Sequence, residues 1–243
     1  MSTFEAVDEI LQDVRKYGVY IPNGDDEELG TQIMKMRVET EVELLEAQLE
    51  FFEANIIDHP VLFPVLKCFR KPCLGGIMSM SSKLTGIYTM TKKRDDNKKP
   101  PIVLRLDFWE KNSQVVYWKG SHEASLKLKP SSTPFFEVDP VDLNNVCPES
   151  AITECFSNGG FTISHHGTAY QITKGLITGF YISEEEIVSR WAGFKLPAKE
   201  SYKKIIASIR EAGVEVKVEW CPVKNEVPSV QDVVRGDAPL PSK

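Results

Sequence analysis

Ile102-Val103-Leu104-Arg105-Leu106-Asp107-Phe108-Trp109 places Ile102, Leu104, Leu106 and Phe108 on one face of an extended chain. Val103, Arg105, Asp107 and Trp109 fall on the other, the two-residue period of a β-strand. Lys111-Asn112-Ser113 reads as a turn, and Val115 to Trp118 returns as a second strand ending at Gly120-Ser121-His122. Together these predict a hairpin with His122 just past its exit. A third β block follows Asn158-Gly159-Gly160 and comprises Phe161 to Ser164, Ala169 to Ile172 and Leu176 to Ile182, separated at Gly167 and Gly175.

Helices flank these strands. Phe4, Val7, Ile10, Leu11 and Val14 recur at three- and four-residue spacing and predict a helix over Phe4 to Tyr17, closed by Gly18. Val19-Tyr20-Ile21 is a short strand before Pro22-Asn23-Gly24. From Thr31 to about Ile57, Val38, Val42, Leu45, Leu49, Phe52 and Ile56 share one face of a predicted helix, which either lies across a sheet or meets a second copy of the chain. Pro60, Pro64, Pro72, Gly75 and Gly76 predict an irregular connection. Met78, Met80, Leu84 and Tyr88 read as core or pocket lining. Lys92 to Lys99 has mixed charge and no apolar partners, so it reads as a solvated loop. Ser183 with Glu186 has the form of a capping box, Lys199 to Ala212 reads as a helix, and Val214 to Trp220 as a last strand. The fold class expected is mainly β with flanking helices, a single jelly-roll domain over residues 1–221 with a loose tail at 222–243.

The chain has 243 residues, 42% hydrophobic and 26% charged, which places it among globular proteins and not disordered ones. Its net charge of −6, with cations scattered among acids, gives no electrostatic basis for binding nucleic acid. No apolar run reaches the roughly 18 residues of a membrane span, and the acidic, amphipathic start does not look like a signal peptide. A cytoplasmic protein is the expectation. Cys68, Cys73, Cys147, Cys155 and Cys221 form no CxxC pair, so reduced thiols acting as small core hydrophobes are expected.

Val14 to Ile21, Leu104 to Asn112 and Gly120-Ser121-His122, followed by His165-His166 and then Lys174, resemble in order the phytanoyl-CoA dioxygenase family. That family is a branch of the iron and 2-oxoglutarate oxygenases built on a double-stranded β-helix. The resemblance spans roughly residues 4 to 182. It implies a cupin-like jelly roll, Fe(II) held by His122 and one of His165 and His166, and 2-oxoglutarate held by Lys174, where the family has arginine. The family's His-x-Asp pair is missing: none of the four histidines is followed two positions later by Asp or Glu, and Arg105 stands two positions before Asp107. An unusual ligand set with Asp107 or Glu123 is one alternative. The other is a metal-free isomerase, cyclase or dehydratase without Fe(II) or 2-oxoglutarate, using His122 with Asp107 or Glu123 for proton transfer. Either would be an enzyme acting on a small organic molecule, such as a biosynthetic intermediate. A non-catalytic relative that binds a ligand or a protein, through the helix of Val38 to Ile56, is the rival reading. His122 could equally hydrogen-bond a turn, and His165 and His166 would point to opposite faces of a strand.

Overall fold

The computed structural model describes residues 3–22, 24, 26–36, 41–90, 103–131 and 133–223. The predicted loop at Lys92 to Lys99 and the tail from residue 224 lie outside them.

Two six-stranded sheets face each other. The first runs in the order β1 (Val19–Tyr20), β9 (Gly160–His165), β4 (Leu104–Trp109), β11 (Leu176–Glu184), β2 (Pro72–Ser81) and β13 (Glu215–Val216). The second runs β6 (Leu128–Pro130), β7 (Phe136–Val138), β3 (Tyr88–Thr89), β10 (Ala169–Lys174), β5 (Ser113–Trp118) and β8 (Ala151–Phe156). Along the chain β2, β3, β4 and β5 alternate between the sheets, and β8, β9, β10 and β11 alternate back between them in antiparallel pairs. That winding is the double-stranded β-helix, a jelly roll, as the resemblance implies. A small third sheet pairs β12 (Phe194–Pro197) with β14 (Val218–Cys221) in parallel.

The predicted hairpin is corrected by this topology. β4 pairs with β9 and β11, β5 pairs with β10 and β8, and the two never pair with each other. Asn112, at φ 60°, turns the chain from one sheet to the other, as asparagine can in the left-handed region.

The helices cover the outer face of the first sheet. They are α1 (Thr3–Tyr17), α2 (Glu27–Lys35), α3 (Glu41–Phe52), α4 (Leu62–Leu66) and α7 (Glu200–Glu211), while α5 (Pro140–Val146) and α6 (Glu185–Val188) are short connectors. Asp26 caps α2 by accepting the Leu29 N–H at 3.0 Å. The predicted helix from Thr31 to Ile57 is two helices, with Met36 capping α2 and a π-turn at Glu53–Ile57 extending α3. Its apolar face is used within the chain: Leu49, Phe52 and Ile56 are fully buried, and Phe51 meets Phe108 edge-on at 4.9 Å. Each such side chain contributes roughly 1.5–3 kcal/mol by leaving water.

Three further expectations change. The connection expected to be irregular becomes the start of the ten-residue β2, where Gly75 makes room for the Trp191 ring. Ser183 does not cap α6, because the β11–β2 ladder continues past it to Glu184 and Pro72. The expected last strand divides at Lys217, with β13 joining β2 and β14 joining β12.

Candidate functional site

All six residues of β4 are buried, on both faces. Leu104, Leu106 and Phe108 pack under the helices, in one apolar cluster with Phe52 and Phe180. The alternate row, Arg105, Asp107 and Trp109, therefore points between the sheets. Arg105 and Asp107 are wholly excluded from solvent, and Nε of Arg105 donates to Oδ2 of Asp107 at 2.6 Å. Ser164 on β9 and Tyr117 on β5 donate to the same oxygen at 3.3 and 3.4 Å. Tyr117 also shares a 2.8 Å hydrogen bond with Thr162, whose hydroxyl accepts the Trp109 indole N–H at 3.3 Å. The Arg105 guanidinium lies 3.7 Å from the centre of the Tyr170 ring on β10, a cation–π contact across the barrel.

Several polar atoms in this interior make no hydrogen bond: both terminal nitrogens of Arg105, Oδ1 of Asp107 and the hydroxyl of Tyr181. The Tyr170 and Tyr181 hydroxyls lie within the field of Arg105. Burial opposes the charge on Arg105, but Asp107 and the surrounding tyrosines outweigh it and hold the guanidinium protonated. Burial pushes the Asp107 carboxyl above the ordinary carboxylate value, and Arg105 pulls it only partly back. Burial likewise pushes Tyr117, Tyr170 and Tyr181 upward, so their hydroxyls stay protonated donors. A fixed cation, a carboxyl shifted toward neutrality and a ring of phenols can orient an anionic group and move a proton.

The histidines named from the sequence gather at one end of this barrel. His122 and His165 have ring centres 5.0 Å apart, and His165 and His166 4.4 Å apart. The last two therefore do not point to opposite faces: His165 ends β9 and His166 stands in the turn beyond it, where the strand alternation stops. His122 sits in a 3-10 turn with Ser121 and Glu123, and its Nε2 is 3.0 Å from the Arg15 carbonyl near the end of α1. The Ser121 hydroxyl donates to the Trp118 carbonyl at 2.6 Å and accepts the Ala169 N–H at 2.8 Å. Gly120-Ser121-His122 is thus a clip joining β5 to α1 and β10. Lys174 is exposed at the far end of β10 from Ala169, on the order of 15 Å away at about 3.3 Å per residue.

The donor set does not fit the Fe(II) centre that the resemblance implies. His165 accepts the Gly167 N–H at Nδ1, at 2.9 Å, so its one ring lone pair is engaged and its Nε2 carries the proton. Asp107 is held by Arg105, whose charge opposes a neighbouring dication. Among the described residues no three His, Cys, Asp or Glu side chains are arranged to hold a metal ion. Burial and the neighbouring imidazoles lower His165 to about 2. Burial is also the main cause that lowers His166 to about 4, against its hydrogen bond to the Val103 carbonyl. Both are neutral at physiological pH. Cys73 is pushed up to about 11, chiefly by burial, which leaves it a poor nucleophile.

Asp107 was legible as a candidate. Arg105, Tyr117, Tyr170 and Tyr181 were not, although the alternation already placed Arg105 and Asp107 on one face. A surface hollow of about 340 Å³ near Asp13, Tyr17, Lys119 and Glu154 lies outside the barrel. Among the described residues no helix is long and apolar enough to cross a membrane.

No protein-family model matches this chain, and no curated protein matches it. Among solved structures it is similar to apo HygX from Streptomyces hygroscopicus, with a TM-score of 0.50 at 13% identity, covering 77% of this chain and 89% of that one. It also matches a non-heme monooxygenase, ThoJ, in its apo form, with a TM-score of 0.47 at 11% identity over 84% of this chain and 94% of that one. The ThoJ–Ni complex gives a TM-score of 0.46 at 10% identity, over 84% and 95%. At this identity the likeness to HygX concerns the fold, a helix-flanked double-stranded β-helix.

Proposed function

We propose that this protein is a small-molecule enzyme of the metal-independent kind, an isomerase, cyclase or dehydratase, working on a scaffold similar to that of the phytanoyl-CoA dioxygenase family. The observation that carries this reading is the Arg105–Asp107 pair, sealed between the sheets with polar atoms left over. A buried ion pair is a poor way to stabilise a core, since well-packed apolar residues do as well or better. A pair retained in a barrel interior together with unused donors is better explained by a ligand.

Asp107 is the proton-transfer group in this reading, and Arg105 orients the substrate. The carboxylate takes a proton from a carbon made acidic by a neighbouring electron-withdrawing group. The protonated acid returns it to another carbon in an isomerisation, or to a departing hydroxyl that leaves as water in a dehydration. No electrons are gained or lost, so no oxidant is needed. His122, Glu123 and Lys174 have no part in this step, and no Fe(II) or 2-oxoglutarate is required.

Incubation with a library of small organic acids in D2O, followed by NMR, tests it. Solvent deuterium should wash into a bound compound in the presence of a strong chelator, and the exchange should fall at least a hundredfold in Asp107→Asn. Turnover that requires added Fe(II), or an Asp107→Asn variant as active as the wild type, would sink the proposal.

A further inference from the structure

We propose that the interior between the sheets is a binding chamber for a compact organic carboxylate, gripped edge-on by the two terminal amino groups of Arg105 with the Tyr181 hydroxyl beside them. This rests on the metal-free reading above and names its substrate class.

Arg105 is divided in its work. Its Nε is committed to Asp107, and Tyr170 lies under the guanidinium and fixes its plane. The outer edge, with both terminal nitrogens, is closed to solvent and makes no well-aligned hydrogen bond, with only the Tyr170 and Tyr181 hydroxyls close by. Buried donors are rarely left so in folded proteins, and four N–H groups on one rigid fork are a conspicuous exception. Two parallel N–H groups match the two oxygens of a carboxylate. A tetrahedral dianion would need more room and more cations than this one guanidinium. In the resemblance Lys174 held the carboxylate, whereas Arg105 lies on a different strand.

Gly179 bears on the same atoms. It lies mid-strand in β11, opposite Asp107, and its backbone is not left-handed, so conformation does not require glycine there. A Cβ at this position would stand 3.0 Å from Oδ1 of Asp107, and 3.6 Å from both Cγ of Arg105 and the Tyr181 hydroxyl. Glycine therefore lets β11 lie directly against Oδ1 of Asp107 and the Tyr181 hydroxyl, with no side chain standing between the atoms that lack partners.

Charge and shape agree with a carboxylate. A second anion beside Asp107 adds to its upward shift and so favours the step in which it takes the substrate's proton, with Oδ1 left without a hydrogen-bond partner to receive it. Trp109, Tyr117, Phe135 and Tyr170 belong to one buried cluster between the sheets, which favours a planar or apolar body behind the carboxylate. Met80 accepts from the Tyr170 hydroxyl at 3.4 Å, and Met78 and Met90 pack partly buried against the same cluster. Such thioethers re-pack readily, so a ligand can be admitted by rotamer changes.

Thermal shift and calorimetric titration of the full chain with formate, acetate and benzoate, with inorganic phosphate and chloride as controls, test the inference. The carboxylates should raise the melting temperature, the controls should not, and Arg105→Lys should weaken carboxylate binding at least tenfold. Gly179→Ala removes neither charge and sets a methyl group 3.0 Å from Oδ1 of Asp107, so it should weaken benzoate more than formate; this variant decides the matter if Arg105→Lys does not fold. No carboxylate effect, an equal phosphate effect, or unchanged binding in both variants would overturn the inference. Carboxylate binding without deuterium exchange on any compound would uphold the chamber and sink the enzyme. Exchange only on compounds without a carboxylate would do the reverse.

Discussion

Arg105 and Asp107, two residues apart on one strand, meet at 2.6 Å with neither side chain touching solvent. Removing one partner leaves the other charge stranded in the interior. Arg105→Met and Asp107→Leu should each lower stability by about 3–5 kcal/mol, while the double variant recovers most of that loss. Denaturant unfolding of the four proteins measures it. Single losses below about 1 kcal/mol, or a double variant as unstable as the sum of the singles, would contradict the pairing.

Acid should weaken the fold through His165 and His166. Their folded values, about 2 and about 4, lie below the ordinary 6.5, so the unfolded chain takes up protons that the folded chain refuses. The stability they contribute is fully present above pH 6.5 and is lost as pH falls toward those values, at roughly 1.4 kcal/mol per pH unit for each histidine. Melting temperatures between pH 7.5 and 4.5 should show this slope, and His166→Gln should flatten it by about half. An unchanged slope in that variant would place the acid sensitivity elsewhere.

Gly18→Ala should cost about 3 kcal/mol, from a left-handed backbone and from overlap combined. Gly18 has φ 84°, and a Cβ there would come within 2.6 Å of both the Thr168 hydroxyl and Nδ1 of His122. Its carbonyl also receives the His165 N–H at 2.8 Å and the Thr168 hydroxyl at 2.7 Å. Thermal melting reads the effect, and a loss under about 1 kcal/mol would mean the junction yields easily.

Fe(II) or Mn(II), with or without 2-oxoglutarate, should leave the melting temperature unchanged, because a ligand that binds the native state must raise it. A metal-dependent rise that disappears in His122→Ala would restore the iron reading of the histidines.

Much of the scaffold could be read from the chain. Periodicity placed the strands after Asn158 within a few residues, as well as α1 and α7, because one wetted or helix-covered face imprints a regular pattern. The glycines and prolines that hid β2 misled for a physical reason: Gly75 answers a distant ring, Trp191, not a local turn. The apparent hairpin of β4 and β5 failed similarly, since a short connection is compatible with crossing between layers and pairing is settled by strands far along the chain.

The sequence by itself determined that Arg105 and Asp107 share a face, because successive side chains on a strand alternate. It also ordered the three histidines that the fold then draws together. Only the tertiary structure decided that the charged face of β4 is the sealed one and that Gly120-Ser121-His122 is a clip. Alternation says which residues stand together, but whether water or a second sheet lies above them depends on segments remote in the chain, and that difference separates a solvated surface from a site.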